Sequence, residues 1–258
     1  MARLSSNLVG PAVLAALVCV AVLPGCRKQE HKELKVYAAA GLQPVLSSLA
    51  AEFKKQTGIE VVFDYGGSGM IISRARLDPD ADLFMPGDRW YVDQLQQQSG
   101  LIESQTTIGY FVPVIIVRKD CPKDIRRLED LFDPNVKVGL GNPDACQVGR
   151  ISKELLAKNN LDYSRLSPKL SVTVNELGAW VKLGDVDAAI VWDAIAAVIR
   201  DSVRIIEIPR DRNCFSEVSV GLMKTSTHKV EARQFIEFVA GPAGQALLNA
   251  GGVRTMPP

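Results

Sequence analysis

Four short stretches of the chain combine small residues, a strand end and the start of a helix, and each is suited to hold a negatively charged guest. The clearest is Gly66-Gly67-Ser68-Gly69, between the alternating segment Ile59 to Tyr65 and a helical segment that runs to about Arg76. Glycines let the backbone turn tightly and present bare N–H groups, and the helix that follows adds the positive end of its dipole. Ser68 contributes a hydroxyl donor. No Gly-Lys-Ser/Thr follows, which excludes a phosphate-cradling P-loop, and the glycines do not fall in dinucleotide-binding order. Taken alone, a plain turn capped by serine explains these residues equally well. Ala38-Ala39-Ala40-Gly41-Leu42 repeats the strand-to-helix character, as does the run from Gly141-Asn142-Pro143 through Val148-Gly149-Arg150. Trp192-Asp193 closes a further apolar strand. Ligands of open α/β sheets sit at such carboxyl edges. Four junctions facing one another favour a binding cleft.

Chemistry beyond binding has little support. The only histidines are His31, in a polar stretch near the start, and His228, in a late loop. Ser68 lacks a GxSxG elbow, so a serine hydrolase triad is not indicated. No CxxC or HxxxH spacing points to zinc. Arg150 is a candidate for either an ion pair that orients its loop or contact with the ligand, and Asp193 reads as a helix cap. Trp90 and Trp180 read as packing residues.

The elements that must position these junctions alternate. Leu34 to Ala38 is a short strand; Gln43 to Thr57 carries Val45, Leu46, Leu49, Ala50 and Phe53 at helical spacing and stops at Gly58. Asp82 to Met85 is a buried strand and Trp90 to Gln98 a helix ending near Gly100. Phe111 to Arg118 is a continuous β-branched run, after which alternating elements begin again, and Glu217 to Met223 repeats its character. Lys229 to Val239 and Ala243 to Ala250 form helices with only the first half of the chain to pack on. The pattern predicts α/β architecture with helices on both faces of largely parallel sheet, in two lobes, the chain crossing out near residue 114 and back near 220. No internal repeat is evident.

Arg3 and the apolar run Leu8 to Leu23 read as an export signal ending in Leu23-Pro24-Gly25-Cys26. That tetrapeptide looks like a bacterial lipobox with proline in place of the commoner alanine or serine, which predicts residues 1–25 as a lipoprotein-type signal peptide, lipidation of Cys26, and 26–33 as a tether. Removing residues 1–25 takes away Arg3 and leaves equal numbers of basic and acidic residues. Such a neutral chain gives no electrostatic reason to expect nucleic acid. Besides Cys26, Cys121, Cys146 and Cys214 remain, enough for one disulfide in an oxidising compartment. Cys121 with Cys214 is preferred slightly over Cys146 with Cys214; Cys146 lies in a candidate ligand loop.

Val36 to Leu42, Phe63 to Gly69, Asp82 to Asp88 with Trp90, Gly141-Asn142-Pro143, Val148-Gly149-Arg150 and Asp187 to Trp192 together resemble the periplasmic molybdate- and tungstate-binding proteins of ABC transporters, over nearly all of residues 34–258. The resemblance implies a type II periplasmic-binding fold: two lobes of mixed sheet flanked by helices, joined by two crossing hinge strands. The first lobe is expected at 34–113 with 222–258 and the second at 114–221. It implies a monomeric solute-binding protein without catalytic residues or cofactor, held at the membrane or cell surface by its lipid and delivering an oxyanion to a membrane permease. The ligand residues it implies are Ala40, Gly41, Gly67, Ser68, Val148, Gly149 and Trp192, with Arg150, Asp193 and Cys146 behind them and no metal cation. Two positions depart from the family, which commonly has serine at 41 and tyrosine at 192. Gly41 keeps an amide and loses a hydroxyl; Trp192 exchanges a phenol O–H for an indole N–H. The departures leave open another small anion: sulfate, phosphate, a phosphonate or a carboxylate. A secreted hydrolase and an adhesin or sensory subunit on the same fold are the alternatives of other classes.

Overall fold

The computed structural model describes residues 33–258, together with Met1 and Ala2. Residues 3–32, with the rest of the expected signal peptide, Cys26 and His31, lie outside the described residues. Two five-stranded sheets organise the chain. The first contains β1 (Glu33–Ala39), β2 (Glu60–Gly66), β3 (Leu83–Met85), β4 (Ile102–Phe111) and β10 (Ser216–Met223), in the order β2-β1-β3-β10-β4. The second contains β5 (Pro113–Arg118), β6 (Val138–Gly141), β7 (Lys169–Ser171), β8 (Ala188–Trp192) and β9 (Val203–Glu207), in the order β7-β6-β8-β5-β9.

Both sheets follow one plan. Three strands run parallel, and the strand with which the chain crosses into the sheet lies antiparallel beside the third: β10, on the chain's return, in the first sheet and β5 in the second. The sheets are therefore mixed, as the fold class requires, and less parallel than the alternation of elements alone suggests. The plan is also a structural repeat that leaves no legible trace in the residues.

Helices α1 (Gln43–Thr57), α2 (Ser68–Leu77), α3 (Arg89–Ser99), α7 (Lys229–Ala240) and α8 (Pro242–Ala250) accompany the first sheet, and α4 (Gln147–Lys158), α5 (Val174–Leu183) and α6 (Asp193–Val198) the second. Local chemistry sets their ends. Pro44 opens α1, and Gly58, at φ 75°, takes the left-handed turn that closes it. The Asp88 carboxylate accepts the Trp90 amide at the start of α3, and Thr173 with Glu176 forms a capping box on α5. The buried face of α1 carries Val45, Leu46, Leu49 and Phe53. Phe53 meets Phe235 edge-on at 5.1 Å, seating α7 on α1.

The β-branched run from Phe111 to Arg118 is two strands in different sheets, broken at Val112. Asp193 holds this residue from both sides: its amide donates to the Val112 carbonyl (2.8 Å) and its carboxylate accepts the Val112 amide (3.2 Å). The second change of sheet falls between Glu207 and Ser216, where β10 begins. Most of β4 is absent from the sequence pattern because Glu103 to Gln105 are exposed and polar, as an edge strand allows. Cys121, Cys146 and Cys214 are all free thiols, so neither expected disulfide forms. Among the described residues no helix is long and apolar enough to cross a membrane.

Candidate functional site

Strand ends of both sheets meet at a small cavity of about 20 Å3, lined by Ala39, Ala40, Gly41, Gly66, Gly67, Ser68, Gly87, Cys146, Gln147, Val148, Thr173, Val174 and Trp192. No lining side chain is charged. The starts of α2, α4 and α5, and the 3-10 turn Ala40–Leu42 that leads into α1, all contribute to the wall. First-turn amides of a helix have no acceptor within it and carry the positive end of its dipole. Amides from both sheets therefore converge on one space that holds no opposing carboxylate.

The side chains sharpen this character. The Gly87 amide donates to the Ser68 hydroxyl oxygen at 3.0 Å, which occupies an acceptor lone pair and leaves the O–H free to donate. Trp192 is buried and stacks on Phe111, with ring centroids 5.2 Å apart and planes 12° apart. Its ring edge lies where Gly41 has no side chain: a Cβ there would stand 3.4 Å from the indole Cδ1 and 3.1 Å from Val174 Cγ1. Cys146 precedes α4, and burial pushes its thiol up to about 11 against the opposing pull of the Val148 and Gly149 amides. The sulfur is therefore neutral at physiological pH.

The sheets approach closely around the cavity. The Gly69 amide donates to the Ala145 carbonyl at 3.2 Å, and the Asn175 side-chain amide donates to the Ala40 carbonyl at 3.2 Å. Gly67 faces the Ala145 and Val172 carbonyl oxygens so closely that any Cβ would collide with both. The structure is closed.

Of the residues singled out from sequence, Ala40, Gly41, Gly67, Ser68, Val148 and Trp192 line the cavity, and Cys146 joins them. Gly149 does not. Its Cα packs against the Gly141 carbonyl, so its small size serves the seating of α4 on β6. Arg150 is also outside the lining: it pairs with Asp88 at 3.6 Å and with Glu154, and lies over the Trp90 ring at 5.0 Å. Asp193 binds Val112 and pairs with Arg254 at 2.7 Å, so it belongs to the crossing between the sheets. Trp90 is partly exposed rather than core. Sequence reasoning missed Gly87, Gln147, Thr173 and Val174. The Thr173-Val174-Asn175-Glu176 capping box marks a fifth strand-to-helix junction and was the available signal. Among the described residues, no group of three His, Cys, Asp or Glu side chains could hold a metal ion.

Two lobes of mixed sheet with a closed, uncharged cavity between their strand ends define a type II periplasmic-binding architecture. The chain belongs to the family of bacterial extracellular solute-binding proteins, whose model matches residues 34–254. It is thus a binding protein rather than an enzyme. A binding protein of Haemophilus influenzae is 31% identical over 82% of this chain and 86% of its own length. The molybdate-binding protein ModA of Mycobacterium bovis is 26% identical over 96% of this chain and 97% of its own. Among solved structures, the sulfate-binding protein SubI of Mycobacterium tuberculosis shares the fold with a TM-score of 0.78 at 19% identity, covering 88% of both chains.

Proposed function

We propose that the protein captures a fully ionised tetrahedral oxyanion, molybdate or tungstate, in the cavity between the lobes and delivers it to the membrane permease of an ABC importer. The observation that carries this reading is the convergence of helix starts from both sheets on one cavity without a charged side chain. Donors alone suit a dianion that has no proton to give. An anion that keeps a proton, such as hydrogen phosphate, requires an acceptor; Gly87 takes one lone pair of the Ser68 oxygen, and no lining carboxylate offers another. Molybdate is favoured over sulfate by the near full-length relationship to ModA. The sulfate-binding neighbour supports the second reading, a sulfate receptor on the same donor shell. Ala40, Gly41, Gly67, Ser68, Val148, Val174 and Trp192 are the proposed ligand contacts.

In this reading residues 34–112 and 216–258 move as one lobe against 113–207, since all of β10 pairs within the first sheet and β5 within the second, which shifts the expected boundaries at 114 and 222. The anion meets one lobe and closure completes the shell, because contacts from both sides exist only when the cleft is shut. Export, acylation of Cys26 and residence at the membrane or cell surface as a monomer complete the proposal. Calorimetric titration of the mature chain with molybdate, tungstate, sulfate and phosphate tests it. Molybdate and tungstate are expected to bind at micromolar concentrations or below and phosphate not to bind; silence toward the first two removes the proposal.

A further inference from the structure

One buried carboxylate lies beside the cavity, although none lines it. Asp88 follows the lining residue Gly87 and is almost fully buried. An uncompensated carboxylate there would repel a dianion through a medium that screens poorly. The structure surrounds it with a closed ring of partners drawn from both sides of the cleft. Ser216, at the start of β10, lies beside Asp88 and favours its ionised form. The Gln147 side-chain amide, on α4, donates to the Ser216 oxygen at 3.0 Å. Arg150, one turn along α4, donates from Nε to the Gln147 oxygen at 3.1 Å and closes the ring on Asp88 at 3.6 Å. Gln147 and Ser216 are buried, and the Arg150 guanidinium also lies over Trp90 of α3.

We propose that Arg150, Gln147, Ser216 and Asp88 form a cross-cleft latch that holds the lobes shut and removes two groups hostile to an anion, the Asp88 charge and the Gln147 carbonyl oxygen, from the cavity's field. Arg150 is the positioning residue. Its charge offsets Asp88, and its Nε turns the Gln147 amide so that the acceptor end points away from the lining. The latch rests on the oxyanion-binding reading for its effect on affinity, and on the ring alone for its effect on closure. Burial raises the Asp88 carboxyl above its ordinary value, opposed by the Trp90 amide, Ser216 and Arg150 and reinforced by Glu154. Tyr91, also nearby, is itself pushed up to about 12 by burial and stays neutral. Of the two charged groups acting on Asp88, Arg150 attracts and Glu154 repels, so loss of Arg150 leaves the carboxylate to the neutral donors Trp90 N–H and Ser216 and to the repulsion of Glu154.

The test compares Arg150→Gln, Arg150→Lys and the double variant Asp88→Asn/Arg150→Gln with wild type. Melting curves first confirm that each folds, and molybdate and sulfate serve as calorimetric probes between pH 5.5 and 8. Arg150→Gln is expected to lose at least tenfold in affinity at pH 8 and to regain part of it as pH falls and Asp88 takes a proton. Arg150→Lys should lose less, and adding Asp88→Asn to Arg150→Gln should restore most of the loss at pH 8 and flatten the pH profile. A merely structural arginine would give no such rescue. An Arg150→Gln affinity within twofold of wild type, or no rescue by Asp88→Asn, overturns the latch. If wild type binds neither probe, the functional reading falls by itself, and small-angle scattering of the ligand-free proteins decides the latch. A larger radius for Arg150→Gln than for wild type then supports it, and equal radii overturn it.

Discussion

Gly41 lies where the second lobe meets the first, and the indole edge of Trp192 approaches the space beside its bare α-carbon. The two departures from the resembled family are therefore one feature: the space a serine side chain would take is the space the indole edge approaches. Gly41→Ser in the Trp192 background should push on the indole and on Val174 and weaken anion binding by about tenfold, the scale of one to two kcal/mol typical of overpacking. The same substitution combined with Trp192→Tyr should cost much less, and a calorimetric double-mutant cycle measures the difference. Equal losses in both backgrounds would show the two positions to be independent. Sequence comparison exposes each departure but not their contact, because residues 41 and 192 meet only across the cleft. Cys146 offers a second test. Its folded thiol titrates at about 11 against an ordinary 9.0. Between those values the unfolded chain gives up the proton and the folded chain keeps it, so this group's stabilisation is complete below pH 9 and fades as pH rises to 11. The upper bound is about 3 kcal/mol. The urea midpoint of wild type should fall more steeply over this window than that of Cys146→Ala; parallel curves would contradict the burial argument.

At the scale of elements, the site is a set of helix beginnings, and its legibility follows from how each is encoded. Gly66 to Gly69 and Ala38 to Leu42 are visible because small residues recur between a strand and a helix, and the recurrence sets them apart from a plain turn. Thr173 and Val174 are quieter, since the three-residue strand β7 ahead of them is too short to show a period. Gly87 and Gln147 are invisible as site residues without the cavity. Gly149 shows the second use of such a glycine: it lies outside the cavity lining, and its lack of a side chain lets α4 pack against Gly141. Gly67 separates the element's two duties. Gly67→Ala preserves the helix but places a methyl against the carbonyls of Ala145 and Val172 across the cleft. It should abolish tight anion binding while leaving the melting temperature of the ligand-free protein within a few degrees, and scattering with added molybdate should show no compaction. Retention of wild-type affinity would mean that closure is looser than the structure indicates.

At the scale of the whole molecule, two sheets of the same plan each accept the strand that follows a crossing, β5 in the second and β10 in the first, and these crossings are the places about which the lobes are expected to turn. Asp193 ties the crossing at Val112 to Arg254 near the chain's end, so three distant stretches converge there. This architecture was legible in outline because alternating apolar strands and amphipathic helices dictate layered α/β packing. The crossings were expected near residues 114 and 220, but the antiparallel placement of β5 and β10 beside the third parallel strand was not, since nothing in their residues states their neighbours. The central claim, that one oxyanion is held between the lobes by main-chain amides, is tested most directly by anomalous diffraction from crystals grown with molybdate or tungstate. A single heavy-atom peak is predicted within hydrogen-bonding reach of Ser68 and the amides at Gly41, Val148 and Val174. A peak at another surface, or none in the cleft at saturating anion, would contradict the account.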